Sequence, residues 1–413
     1  MDPRVPAAIS RARDFAVARW EEKHPMPDAG PSPSAGGPPN HADGPRRAPF
    51  ADALRGFALV GVCVVNLPWL ASSPPERTAV DGAARLLVAA VFEGKFFVLF
   101  SLLFGFGFQR QLARVRAGRA TPGEYARRLA GLFVLGVLHA ALLFVGDILA
   151  TYALLGAALW ALRGLPDARL LAVARLCVFL AAVAFALLAW AYSASPDPSA
   201  AAAASAARRA AYLGGFGEAL ARRIQDLPSA AREVLLFNWP LASAAFCAGL
   251  VAGRRGLLDD PARLAGALPP VPLLVAGALI GNLAAAAAFR LPAGWNVAAY
   301  ALLAVGGPCL AALYALALAR AWRAPRARAW MEAWLAPAGR MSLSNYLGQS
   351  VAANVLFAGW GFGLYGSLGP AALLPLALAI ASAGLVLSAV WLRLFRVGPA
   401  EWLLRAWARP ARR

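Results

Sequence analysis

The sequence predicts an all-α integral membrane protein, a multi-pass bundle of about ten transmembrane helices with both termini on the cytoplasmic side. Three observations predict it. Hydrophobic residues make up 60% of the 413 and charged residues only 15%, more apolar material than one soluble core of ordinary proportions absorbs. Apolar stretches recur at about the 20 residues needed to cross ~30 Å of hydrocarbon at 1.5 Å per residue. Arginine is distributed unevenly between alternate loops, as the positive-inside rule expects of a polytopic chain.

In chain order, residues 1–48 are rich in Pro, Gly, Ala and charge, without hydrophobic periodicity or a signal-peptide core, and are expected to form a disordered cytoplasmic tail. The membrane domain is expected over 49–410. Its apolar stretches centre near 57–72, 88–108, 129–146, 148–163, 170–192, 234–252, 271–289, 297–319, 342–360 and 371–392. The loops after even-numbered stretches carry the arginines, from Arg110 to Arg128, then Arg163 and Arg169, Arg254 to Arg263, and Arg320 to Arg328. Arg55 before the first stretch and Arg393 after the last join the same side, which the rule assigns to the cytoplasm. The segment 195–232 is long enough to count little in that rule. Its Ala-rich sequence suits an external loop, or a helix that is either amphipathic on the outer surface or simply solvated. Near the C-terminus, Trp402 and Trp407 alternate with Arg405 and Arg409, a pattern that suits a helix at the cytoplasmic headgroups.

The net charge of +19 does not indicate nucleic acid, because the arginines are dispersed among apolar spans instead of forming one basic face. The lipid bilayer is the expected partner. Cys63, Cys177, Cys247 and Cys309 stand singly inside apolar stretches, which reads as packing and not as disulfide or metal ligation.

Polar residues at membrane depth are costly unless satisfied, so they are the functional candidates. Asp52 and Arg55 stand three residues apart at the cytoplasmic mouth of the first span, as an interfacial ion pair or as a donor entrance. Asn66 lies about 16 Å further along the helix, next to Pro68, which frees a backbone carbonyl for a polar gap. Glu93 and Lys95 open the second span on the outer side, where snorkelling explains them. His139 lies well inside the third span, with Asp147 two turns later. They read either as a general base with its orienting carboxylate, or as a structural His beside an Asp that caps the next helix. Ser342, Asn345 and Gln349 form one polar stripe, suited to a cavity or to interhelical hydrogen bonds.

The blocks "DALRGFALVGVCVVN" from Asp52, "FEGKFFVLFSLLFGFGF" from Phe92, "LHAALLFVGDILATYAL" from Leu138 and "GRMSLSNYLGQS" from Gly339 with "FRVGPAEWLLR" from Phe395 resemble the YeiB-like family. The C-terminal part of that family, about 234–410 here, is a domain of unknown function numbered 418. The first block is also distantly similar to the transmembrane acyltransferase superfamily, whose bacterial sugar O-acyltransferases carry an Arg, ten residues, then a His. This sequence has Arg55, ten residues, Asn66. The lysosomal heparan enzyme of that superfamily also has Asn there and a further His about a dozen residues on, which "LPWLASSPPERTAV" lacks.

The resemblance implies acyl transfer across a bacterial plasma membrane, with acyl-CoA as co-substrate, an envelope or exported acceptor and no bound cofactor. His139 would be the base, Asp147 its orienter and Asn66 a holder of acceptor or oxyanion. Asp52, Arg55, Glu93, Lys95 and Arg128 would form the donor entrance, and Ser342, Asn345 and Gln349 the polar cavity. Two other readings stand beside it: a transporter that uses the same polar residues as a path, and a membrane assembly protein without chemistry.

Overall fold

The computed structural model describes residues 48–408 apart from 73, 75, 194–197 and 289–294. The tail expected over 1–48 lies outside them, except for the buried Ala48. Helices and their connections make up the described chain, with no strand among the described residues.

Helix α1 (Pro49–Ala71) opens on Pro49 with Asp52 in its first turn, the placement that a missing N–H and the helix dipole both favour. Helix α2 (Ala79–Leu87) is capped by Thr78, whose hydroxyl accepts the Asp81 N–H at 3.1 Å. It runs through a π turn and a break at residues 93–95 into α3 (Phe96–Arg116). Helix α4 (Pro122–Leu142) starts with the Thr121 cap and Pro122 at its first position. A tight turn then leads to α5 (Leu149–Leu162), followed by α6 (Asp167–Ser193).

Helices α7 (Pro198–Leu213) and α8 (Phe216–Glu233) turn on Gly214 and Gly215, and α8 continues through a π turn into α9 (Trp239–Arg254). Next come α10 (Val271–Ala287), α11 (Trp295–Ala301) and α12 (Leu303–Ala321). A short pair, α13 (Pro325–Trp330) and α14 (Ala336–Arg340), precedes α15 (Ser342–Phe357), α16 (Pro370–Leu394) and α17 (Pro399–Ala408).

Each of the ten expected apolar stretches falls mainly on helix among the described residues, although fewer than ten helices have spanning length. Seven helices are long and apolar enough to cross a membrane, or up to eight if the segment Pro261–Ala267, bent by 75° against α10, forms one span with it. Helix α5, with 14 residues, and α15, with 16, reach only about 21 and 24 Å at 1.5 Å per residue. Where the sequence suggests a loop or a single helix over 195–232, α7 and α8 form a hairpin packed on the bundle.

Close contacts sort the helix ends onto two faces. On one face Arg254 donates to the carbonyls of Arg163 and Leu165 and pairs with Asp167, while Arg127 donates to the Ala408 carbonyl. Glu401 of α17 accepts the Leu343 N–H at 2.7 Å and the Ser344 hydroxyl at 2.5 Å, so a carboxylate from elsewhere in the chain caps α15. On the opposite face the Gly366 N–H donates to the Ala71 carbonyl, the Ala371 N–H to Asp81, and the Gly359 N–H to the Tyr212 carbonyl.

Helices approach closely where small residues allow it, as expected where lipid supplies no hydrophobic drive between helices. A Cβ on Gly249 of α9 would stand 2.0 Å from the Leu102 carbonyl oxygen of α3, and one on Gly105 would stand 2.2 Å from the Phe246 oxygen. The two helices therefore touch backbone to backbone.

Candidate functional site

His139, near the C-terminal end of α4, is 3% exposed. Its Nδ1 lies 2.8 Å from Asp147 Oδ1 and its Nε2 lies 2.9 Å from Ser350 Oγ on α15. In the tautomer with its proton on Nδ1, the ring donates to Asp147 and Nε2 accepts the serine O–H. The other carboxylate oxygen, Asp147 Oδ2, accepts the Ala150 N–H at 3.0 Å. Asp147 thus makes both contacts at once, one oxygen against the histidine ring and the other on a first-turn N–H of α5. The Tyr346 ring, one turn before Ser350, packs 5.0 Å from the imidazole. Its buried hydroxyl, close to the Ile148 N–H, has no partner with hydrogen-bond geometry.

The α4 and α15 backbones are stitched together beside this chain. Asn354 donates to the Leu143 carbonyl at 2.9 Å and to the Ser350 carbonyl at 2.8 Å. Arg223 of α8, 1% exposed, donates to the Leu142 carbonyl at 2.9 Å and to Asn354 Oδ1. Its guanidinium lies over the Tyr212 ring, which stacks on Tyr365. Burial pushes both phenols above their ordinary pKa, so they stay neutral beside the cation. The hairpin is thereby fastened directly over the histidine and serine helices.

Between α1 and α15 lies a small cavity lined by Cys63, Asn66, Leu67, Leu70, Tyr346, Gln349 and Ser350, with room for about one water molecule. Asn66 and Gln349 bring amide groups to it, and Gln349 also donates to the Leu59 carbonyl at 3.3 Å. Of the expected group, Asn66 and Gln349 line this cavity, whereas His139 does not and reaches only Ser350, which does.

Other candidates lie elsewhere. Asn345 donates to the Met341 carbonyl at 3.0 Å and to Ser388 at 2.7 Å, and Ser342 begins α15. Neither lines the cavity, because both stand toward the end of α15 that Glu401 caps. Lys95 does not snorkel and does not face an entrance: it is fully buried, and its ammonium donates to the Ala89 carbonyl at 2.6 Å. The π turn and the break after it free carbonyls that lipid cannot satisfy, and Lys95 satisfies one while Tyr314 donates to that of Val91 at 2.7 Å. Glu93 stands in the same break. Asp52 and Arg55 pair at 2.9 Å, and Arg128 lies within electrostatic reach of Arg55, Arg405 and Glu401. These groups belong to the face opposite the hairpin.

Sequence reasoning missed Ser350, Asn354 and Arg223. The stripe through Ser342, Asn345 and Gln349 was visible, but the adjacent row at Tyr346, Ser350 and Asn354, spaced by four, is the one that meets His139. All four cysteines are free. Among the described residues no group of His, Cys, Asp and Glu could hold a metal ion.

Fold and site together define an all-α integral membrane protein with a buried Ser-His-Asp chain between its helices. The sequence profile of the family described as "Protein of unknown function (DUF418)" matches residues 252–410. The chain is 31% identical over 382 residues to "Uncharacterized protein YxaH" of Bacillus subtilis (strain 168), covering 86% of this chain and 92% of that protein. It is 30% identical over 381 residues to "Uncharacterized protein YeiB" of Escherichia coli (strain K12), covering 86% and 94%. The chain belongs to this YeiB-like DUF418 family of bacterial membrane proteins. No solved structure matches it.

Proposed function

We propose that the protein is an acyltransferase of the bacterial plasma membrane that moves an acyl group from cytoplasmic acyl-CoA to an envelope or exported acceptor. The observation that carries this reading is the hydrogen-bonded chain from Ser350 through His139 to Asp147, ending at a cavity edged by the amides of Asn66 and Gln349. His139 serves as general base, Asp147 holds its tautomer, and the amides face the position where an oxyanion develops. Arg55 and Arg128, on the opposite face, suit the donor's phosphates. Asn66 lies about 16 Å along α1 from Arg55, a gap that a flexible thioester arm bridges.

The test compares acyl groups on envelope glycans and lipids in a deletion strain carrying either wild type or His139→Asn. Acylation restored by wild type and absent with the variant, at equal membrane abundance, is the expected result. Full restoration by His139→Asn overturns the reading.

Transport is a second reading, favoured by one observation: the break at 93–95 with the buried Lys95 has the character of the discontinuous helices of transporters. Lys95→Met separates the two. Loss of solute-dependent growth with acylation intact supports transport.

A further inference from the structure

We propose that Ser350 is a nucleophile that carries a short acyl group as a covalent ester, so that transfer proceeds in two half-reactions. The inference rests on the acyl-transfer reading and specifies its chemistry. A serine inside a helix ordinarily satisfies its hydroxyl on the carbonyl four residues back, as Ser243 does on Trp239 and Ser388 on Gly384, both at 2.7–2.8 Å. Ser350 instead commits its hydroxyl to His139 Nε2 across two helices, while its own carbonyl is taken by Asn354. Its partner histidine is in turn held by a buried carboxylate. A nucleophile touching a base, with a third group orienting that base, is the arrangement that activates a serine. Ser350 is also one of the residues that line the cavity. The cavity, walled by Cys63, Leu67 and Leu70, holds about one water molecule, so an acyl group enters only as these side chains shift, and a short chain demands least.

In the first half-reaction, Ser350 Oγ attacks the carbonyl of an acyl thioester as His139 Nε2 takes the hydroxyl proton. The C–S bond breaks, and the thiol leaves with the proton that His139 returns. In the second, an acceptor hydroxyl loses its proton to His139 as its oxygen attacks the Ser350 ester. The ester C–O bond breaks and Ser350 recovers the proton. Nothing is oxidised or reduced, and thioester and alcohol are the only reactants.

The experiment treats the full chain, purified in detergent, with an alkyl fluorophosphonate and maps the adduct by mass spectrometry. Labelling of the peptide bearing Ser350 is expected. It should be lost in Ser350→Ala and slowed at least about 100-fold in His139→Ala and Asp147→Asn, with melting midpoints checked for each variant. Ser350→Cys, close to isosteric, guards against a misfolded alanine variant and should exchange fluorophosphonate for iodoacetamide labelling on the same peptide. A folded wild type without the Ser350 adduct, or a labelling rate unchanged by His139→Ala, overturns the proposal. If Ser350→Ala keeps full envelope acylation while His139→Asn loses it, transfer is direct and this inference alone fails. If Ser350 is labelled but no variant alters acylation, the acyl-transfer reading falls and the acyl-ester proposal with it.

Discussion

A side chain at Gly136 would have nowhere to go: a Cβ there would stand 2.3 Å from the Ala150 nitrogen and 2.7 Å from Asp147 Oδ2. The absence of that Cβ lets the turn after α4 fold back far enough for Asp147 to reach His139. Gly136→Val is therefore expected to push Asp147 off the imidazole at a cost of about 1–3 kcal/mol in overpacking. Fluorophosphonate labelling should fall steeply while circular dichroism stays helical, and unchanged labelling would show that Gly136 does not set the pair. Asp147→Ala should do double damage, losing the orienter and a cap worth about 1 kcal/mol, whereas Asp147→Asn keeps much of the cap; their melting midpoints should differ in that order. At this scale the sequence was partly legible. The eight-residue spacing of His139 and Asp147 and the depth of Asn66 marked three of the groups, because a polar side chain at membrane depth stands out against its neighbours. Ser350 did not stand out, since serine is common in membrane helices and only the spatial neighbour two hundred residues away gives it meaning. Lys95 misled for the opposite reason: position alone suggested an exposed helix end, and a broken helix in need of a donor was not visible in composition.

Helices α3 and α9 illustrate how elements are held. With Gly105 and Gly249 each against a backbone carbonyl, Gly249→Leu cannot be accommodated without separating the pair. Size-exclusion chromatography in mild detergent should show loss of the monodisperse peak, and a stable, monodisperse variant would contradict the contact. The hairpin of α7 and α8 is pinned by Arg223, whose removal leaves buried acceptors at Leu142 and Asn354 unsatisfied at about 1–3 kcal/mol each. Arg223→Ala should accelerate tryptic cleavage in α7 and lower the melting midpoint; an unchanged digestion pattern would show that the hairpin is held elsewhere. Element positions were legible because each apolar run is bounded by Gly, Pro or charge. Element lengths were less so. Helix α5 begins only after the turn that Asp147 caps, and α15 ends at Phe357 before "AGWGFG", where glycine favours a break that average hydropathy ignores. The hairpin hid in an Ala-rich stretch whose signal was the Gly214–Gly215 pair.

Over the whole molecule, the Arg-bearing loops gather on one face and the hairpin on the other, so reporter fusions at Gly118 and Pro370 should give opposite signals, and matching signals would overturn the arrangement. The distance along the chain between the two halves of the site has a further consequence, in biogenesis. His139 and Ser350 are 211 residues apart, and synthesis at about 5–20 residues per second separates their arrival in the membrane by roughly 10–40 s. During that interval the imidazole and carboxylate sit in a partly assembled bundle without the serine helix, the Asn354 stitch or the Arg223 clasp. Chains cut short between α9 and α15 would therefore present unsatisfied polar groups to lipid and become natural substrates for membrane quality control. Separately expressed halves, divided between α6 and α7, would restore labelling at Ser350 only when both are made in the same cell.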